Sequence, residues 1–114
     1  MGNKISTIRN LGPATEADFE RIGILTAEEL YQIGADDAYT RLLLAGTRPH
    51  FISYYVLVMG LQGRPWNDCK GPEKEALRQR FDALKARVQQ RFDGDLPHHI
   101  AEEIRAFGVL PARI

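Results

Sequence analysis

Apolar residues recur at helical spacings along most of the chain, and glycine or proline interrupts them at short intervals as far as about residue 72. No segment shows the alternation of apolar and polar residues that marks a half-buried strand. A stretch without glycine or proline then runs over 73–93. The pattern predicts an all-α fold, a compact multi-helix domain in which several short helices precede a long one.

Breakers and capping residues define the short helices in the first half of the chain. Gly12 and Pro13 form the first break, and Thr15 is the expected N-cap of the helix that follows them. Thr26-Ala27-Glu28-Glu29 is a capping box, in which the threonine hydroxyl accepts from the third helical amide and Glu29 reaches back. The predicted short elements are a single turn over 6–11 and helices over about 15–22, 27–33 and 36–45.

A further helix is predicted over about 49–63, and it is apolar on almost every side. Such a helix normally occupies the centre of a fold. A turn over 64–68 follows it. The side chains that we expect to be mostly buried are Phe19, Leu30, Leu42, Tyr55, Met59 and Trp66.

The long helix, predicted over about 73–92, carries one apolar seam, formed by Leu77, Phe81, Leu84, Val88 and Phe92. The seam can dock on the chain's own short helices or pair with a second chain. We expect its first half to dock within the chain, whereas a partner contact stays open from Val88 onward. A short helix over about 96–107 is predicted after it. The candidate partner-binding residues are Arg80, Arg87, Val88, Arg91 and Phe92.

Two interpretations of the cations on this long helix stay open. Their stems can cover the rim of an apolar face while the charged ends stay in water, which is a purely structural role. They can also form a patch for an acidic partner, either a phosphate or a protein. The cations are Lys74, Arg78 and Lys85 on one side of the seam, and Arg80, Arg87 and Arg91 on the other.

Composition excludes several classes of protein. The 114 residues, 44% of them apolar and 26% charged, fit a single soluble domain. Fifteen basic and fifteen acidic residues give no net charge, so no global field attracts nucleic acid or an anionic membrane. The longest apolar run, 51–61, is shorter than the ~20 residues that span a bilayer. A single cysteine and an N-terminus without the apolar core of a secretory signal lead us to expect a cytoplasmic protein.

The residues that usually carry catalysis or bind metals do not form a set. Cys69 has no histidine near it in sequence, and the chain lacks a nucleophile elbow, a dinucleotide-binding fingerprint and a phosphate-binding loop. His98 and His99 each lie one helical turn before a glutamate, but two such ligands do not make a metal site. We therefore expect a protein that is not an enzyme, with no catalytic residues, cofactor or metal.

The segment 8–19 resembles a helix-hairpin-helix, in which a tight glycine turn points backbone amides at a nucleic-acid phosphate. The candidate phosphate or DNA contacts are Arg9, Gly12, Ala14 and Thr15. Pro13 removes one amide, and Ala14 stands where the motif has its second glycine. The alternative is a hairpin that only packs two helices together. Any DNA contact here is expected to be weak, non-specific and led by phosphate.

Several segments match, in order and with similar spacing, the C-terminal domain of the TfoX/Sxy family of bacterial regulators associated with natural transformation. They are Leu-Gly-Pro-Ala-Thr at 11–15, Ile-Gly-Ile at 22–24, Thr-Ala-Glu-Glu-Leu at 26–30, Ile-Gly-Ala-Asp-Asp-Ala-Tyr at 33–39, the apolar run 57–61, and Trp-Asn at 66–67. The chain resembles this family over roughly 5–80, with 81–114 as a helical extension of one domain over 1–114.

The resemblance implies a small all-α fold with a start like a helix-hairpin-helix, and a role in turning on competence genes. A non-enzymatic transcriptional co-regulator is therefore the preferred function, with the transcription machinery or DNA as partner. The alternative is a protein–protein adaptor that contacts no nucleic acid and works as a homodimer through the long helix.

Overall fold

A computed structural model describes residues 2–95, and the side chains of residues 2–91. Its helices are α1 (Pro13–Arg21), α2 (Ala27–Ile33), α3 (Ala35–Leu44), α4 (Phe51–Leu61) and α5 (Gly71–Asp95), with 3-10 turns at Ile5–Thr7 and Trp66–Asp68. Within these residues there is no strand, so the all-α prediction is confirmed. The helix predicted over 96–107, and His98 and His99 with it, lies outside the described residues.

The start of α1 corrects the expected cap. The N-cap residue is Gly12 rather than Thr15, and α1 begins at Pro13. Proline suits the first helical position because the N–H that it lacks would have no partner within the helix. Thr15 therefore lies inside the first turn of α1.

The capping box at the start of α2 is present. The Thr26 hydroxyl accepts a hydrogen bond from the Glu29 N–H at 3.1 Å. The Glu29 carboxylate does reach back, but it accepts from the Thr26 hydroxyl, at 3.2 Å, rather than from the backbone. The capping box therefore predicts the start of α2 correctly, whereas the acceptor role of Glu29 involves a different donor from the one expected.

Helix α4 lies at the centre of the fold, and α3 and α5 pack against it. Rings from these three helices form an aromatic cluster, in which the Phe81 centroid lies 5.7 Å from Tyr54 and 6.0 Å from Tyr39. The expected core residues Phe19, Leu30, Leu42, Tyr55 and Met59 are all buried. Trp66 is not: its side chain is 51% exposed, so that prediction is wrong. It lies in the short 3-10 turn that follows α4.

The seam of α5 docks on the chain's own helices. Leu77, Phe81, Leu84 and Val88 are all buried, which confirms the docking expected for the first half of the helix. Docking also extends further than expected, because Val88 is only 1% exposed. The side chain of Phe92 is outside the described part.

The N-terminal segment crosses α4 at Gly60, and only glycine fits there. A Cβ atom on Gly60 would stand 2.3 Å from the carbonyl oxygen of Arg9. The next residue, Asn10, has a φ of 71°. The side-chain nitrogen of Asn10 donates to the Arg64 carbonyl at 2.9 Å, and its side-chain oxygen accepts from the Trp66 N–H at 3.2 Å. These bonds hold the residues before α1 against the end of α4.

The exposure of Trp66 predicts a small effect of its removal. We expect Trp66→Ala to lower the free energy of unfolding by about 1 kcal/mol or less, whereas Phe19→Ala, at a fully buried site, should cost about 3–5 kcal/mol. Urea unfolding is followed by circular dichroism, because Trp66 is the single tryptophan. A loss of about 3 kcal/mol or more for Trp66→Ala would contradict the exposed placement.

Candidate functional site

An open groove of about 630 Å³ separates α1 from the N-terminal half of α4. Its floor is apolar and buried, and consists of Leu11, Phe19, Tyr39, Leu42 and Leu57. Its rim on the α4 side is formed by Phe51, Ile52 and Val56. Ile52 is 63% exposed, so its apolar side chain stands in water beside this floor.

The α4 rim is held in place by a buried tyrosine. The Tyr39 hydroxyl accepts from the His50 N–H and donates to the His50 carbonyl, both at 3.0 Å. Ser53 Oγ lies 3.0 Å from the same hydroxyl and donates to the His50 carbonyl at 2.8 Å. The first turn of α4, which carries Ile52, is therefore fixed relative to α3.

A second depression, of about 540 Å³, lies beside the end of α3. Asp18 and Thr47 line both, and Arg21 and Gly46 line the second. Asp18 forms an ion pair with Arg21. The two depressions are thus neighbours, the first with a mainly apolar lining and the second with a more polar one.

The residues predicted to contact phosphate are only partly brought together. Gly12, Ala14 and Thr15 lie at the start of α1, and Thr15 also lines the groove. Gly12 has an extended backbone, with φ −113°, so the left-handed residue of this turn is Asn10. A three-residue 3-10 turn, rather than an α-helix, precedes it. Arg9 is exposed, with its carbonyl against α4.

A negative charge stands at the entry to α1. The Glu16 carboxylate accepts a hydrogen bond from the Ser6 N–H at 2.9 Å. This bond from the Ser6 backbone lowers the pKa of Glu16 and keeps it ionised at neutral pH. An ionised carboxylate in the first turn opposes the approach of a phosphate to the free amides of α1.

The cations of α5 lie over the aromatic rings at the edge of the core. Lys74 stands 5.2 Å from the Tyr55 ring centre, and Lys85 stands 4.8 Å from that of Phe81. Arg78 stands 5.1 Å from the Phe51 ring centre and lines the groove. These contacts support the interpretation in which long cationic stems cover an apolar rim.

On the other side of the seam, α5 faces α3. Arg80 pairs with Asp36, and Arg87 and Arg91 line a shallow depression of about 160 Å³ with Asp37 and Thr40. Val88 is buried beneath them. Of the candidate partner-binding residues, Val88 is therefore almost fully buried, because the chain's own helices cover the seam.

Asp36 connects three helices. Its carboxylate accepts from the Tyr54 hydroxyl at 2.5 Å and from Arg80 Nη2 at 2.7 Å. Burial alone would raise the pKa of Asp36, but the hydrogen bonds from Arg80 and Tyr54 outweigh it, and the pKa is lowered. Burial and the bond to Asp36 raise the pKa of Tyr54. The carboxylate is thus ionised at neutral pH and joins α3 to α4 and α5.

Sequence reasoning did not find the groove. Ile52 fits the helical spacing of a core residue, and only its exposure in the folded chain distinguishes it. His50 and Thr47 gave no signal, because their role depends on the loop that joins α3 to α4. Within residues 2–95 no three histidine, cysteine, aspartate or glutamate side chains gather into a metal site. No helix in that range is both long and apolar enough to cross a membrane.

The fold and the groove place the chain in the class of small all-α domains with an open apolar groove. The family model of the TfoX C-terminal domain matches residues 1–81, and the chain belongs to this competence-related family. No curated protein and no solved structure matches the chain. The match ends within α5, and the buried residues Leu84 and Val88 carry the same core beyond it.

Acid should weaken the junction at Asp36. The pKa of Asp36 is lower in the folded than in the unfolded chain. The ionised carboxylate therefore adds to the free energy of unfolding at pH values above the unfolded pKa, and this addition is lost as the pH falls through the folded pKa. Between about pH 5 and pH 3, the free energy of unfolding of Asp36→Asn should therefore fall less steeply than that of the wild type, by at most about 1 kcal/mol.

Urea unfolding at a series of pH values measures this difference. Glu75→Gln, which changes an exposed carboxylate on α5, is the control and should keep the wild-type slope. Equal slopes for the wild type and Asp36→Asn would show that Asp36 gains no stabilisation on folding.

DNA binding by the isolated chain should be weak. We expect a Kd no tighter than about 1 µM for duplex DNA, no sequence preference, and further weakening as salt rises. Arg9→Ala should weaken binding, and Arg21→Ala, at the far end of α1 and paired with Asp18, should not. Fluorescence anisotropy with labelled duplexes at two salt concentrations tests this. Selective binding below about 1 µM at physiological salt would contradict it.

Proposed function

We propose that the chain is a non-enzymatic regulatory module of the cytoplasm that acts as a transcriptional co-regulator. It does so by binding a protein of the transcription machinery through the groove between α1 and α4. The observation that carries this proposal is the exposed apolar surface of Ile52 on a rim that Tyr39 holds in place. Family membership supplies the connection with competence.

Exposed apolar surface favours a protein partner. Each square ångström of apolar surface removed from water stabilises a complex by about 25 cal/mol, before the costs of association. A large exposed side chain beside an apolar floor offers such surface. The groove therefore suits apolar side chains rather than a phosphate backbone.

The charges of the chain favour the same partner. Arg64 holds Glu73 with two hydrogen bonds, of 2.7 and 2.8 Å, and Arg80 holds Asp36. These guanidinium groups are engaged within the chain and offer less to DNA. Glu16 adds a negative charge where the phosphate contact was expected. A protein partner with DNA contact of secondary importance fits these facts best.

The same groove supports a second function, a protein–protein adaptor that contacts neither DNA nor the transcription machinery. The two functions differ in their effect on transcripts. A homodimer through the α5 seam has less support, because Leu77, Phe81, Leu84 and Val88 are buried within one chain.

Transcript profiling of the host bacterium tests the co-regulator. Deletion of the gene should lower competence transcripts, and the wild-type chain should restore them. Ile52→Ser, which removes the exposed apolar contact in the groove, should restore less than half of the wild-type level. Leu25→Ser, an equally exposed aliphatic residue outside the groove, should restore the wild-type level.

Variant abundance is measured by immunoblot, so that a loss of protein is not mistaken for a loss of function. Unchanged transcripts after deletion would contradict the co-regulator and leave the adaptor. Full restoration by Ile52→Ser would show that regulation does not use the groove.

A further inference from the structure

The charged side chains that line the groove between α1 and α4 are engaged within the chain. Asp18 is paired with Arg21, and Arg78 is paired with Asp82 at 3.4 Å. Among the described lining residues these two, Asp18 and Arg78, are the aspartate and the arginine of an otherwise mainly apolar surface, with His50 as a further titratable group. The groove therefore suits an occupant that brings apolar side chains rather than a charge.

Helix α5 carries the chain towards the end of α3, where the loop that borders the groove begins. Arg80 pairs with Asp36 in the first turn of α3. Further along α5, Arg91 lines a depression together with Leu44, the last residue of α3. The two helices therefore run in the same direction. Asp95 follows one turn later, about 6 Å beyond Arg91, so the rest of the chain starts near the end of α3.

The chain that follows α5 is long enough to reach the groove. Arg78, which lines the groove, lies about 26 Å along α5 from Asp95. A linker over 96–99 spans at most about 13 Å, and a helix over 100–107 adds about 12 Å. The groove extends from Arg78 to Thr47, in the loop after α3, so its nearer part lies well within this reach.

The segment also carries the apolar side chains that such a groove would take. Ile100, Ile104 and Phe107 lie on one face of the helix predicted there, and a helix this short is not stable alone in water. The seam of α5 is already covered by the chain itself. Trp66 precedes α5 and is separated from its far end by a helix about 36 Å long. Ile52, the most exposed large apolar side chain of the described residues, stands beside the apolar floor of the groove.

We propose that residues 96–107 of the same chain dock in the groove through Ile100, Ile104 and Phe107, and cover Ile52. Another protein then has to displace this segment before it binds. The docking stands on the placement of α5 and the groove, whereas its consequence for regulation rests on the proposed function. The family model matches residues 1–81, so the device belongs to the part of the chain beyond that match.

Nuclear magnetic resonance of the full chain tests the contact directly. With isoleucine methyl groups labelled, we expect nuclear Overhauser effects between Ile52 and Ile100 or Ile104. Ile52→Ser assigns the Ile52 signal by its loss. An isotope-filtered measurement on a mixture of labelled and unlabelled chains detects only contacts between chains, and it should show none for these residues.

The reaction of an introduced thiol measures how well the segment covers the groove. The full chain with Ile52→Cys is treated with a maleimide, alone and together with the pair Ile100→Ser and Ile104→Ser. The pair should speed the reaction at least threefold, because it removes the apolar contact. The control pair Val109→Ser and Leu110→Ser, which lies outside the stripe, should leave the rate unchanged.

Two further controls accompany this measurement. Leu25→Cys, at an exposed position outside the groove, should react at the same rate with and without the pair Ile100→Ser and Ile104→Ser. The native Cys69 is buried, so the chain without an introduced thiol gives the background rate. Circular dichroism confirms that each variant keeps the helical fold.

Several results would overturn the proposal. They are the absence of any effect between Ile52 and the segment, and a rate of thiol reaction that the pair Ile100→Ser and Ile104→Ser does not change. Effects seen in the isotope-filtered measurement would make a second copy of the chain the occupant and would equally reject docking within one chain.

Failure of this proposal and failure of the proposed function can be distinguished. If the segment competes with a transcription partner, the pair Ile100→Ser and Ile104→Ser should raise competence transcripts at least twofold above the wild-type level. The contact together with transcripts that do not respond to deletion of the gene would retain the docking and reject the co-regulator. Transcripts that depend on the chain, without the contact, would retain the co-regulator and reject the docking.

Discussion

Helix α4 is apolar on almost every side, so other parts of the chain must cover it, and the rest of the structure depends on that requirement. Its buried residues, Tyr54, Tyr55 and Leu57 to Gly60, face the N-terminal segment, α3 and α5, and none of them carries a charge. Coverage at Gly60 is so close that a side chain there would meet the Arg9 backbone. In the first turn of α4, Ile52 and Ser53 stay exposed. The groove lies on this exposed side, so the site follows from the arrangement that stabilises the core.

Polar interactions set the positions of the helices more than they stabilise them. The Asp36–Arg80 pair is partly exposed, and pairs of this kind contribute at most about 1 kcal/mol. Yet Asp36 also accepts from Tyr54, so α3, α4 and α5 meet in one arrangement. Arg64 does the same at the end of α4, where it joins Glu73 to Asp68. Apolar burial supplies most of the stability, and these bonds select one packing from the alternatives.

Local signals explain what the sequence could predict. The Thr26 cap, the apolar character of α4 and the seam of α5 each depend on residues within a few turns of one another, and the structure has all three. The N-cap prediction at Thr15 is wrong because it interprets Gly12-Pro13 as a break, whereas Gly12 is the cap and Pro13 the first residue of α1. Trp66 was assigned to the core from residue type alone, although the turn that carries it follows the last residue of α4. The groove could not be predicted, since it depends on which face of α4 its neighbours leave open.

The anchoring of the rim bears on how the groove can bind. Tyr39 holds the His50 backbone through both its N–H and its carbonyl, so the turn that carries Ile52 has its position before a partner arrives. Binding to a surface that is already ordered loses less entropy than binding that must order a loop. Among the cations of α5, Arg78 stands over the Phe51 ring and is paired with Asp82. Arg78 therefore covers the edge of the core and lines the groove at the same time, so the structural and functional interpretations of these cations are compatible.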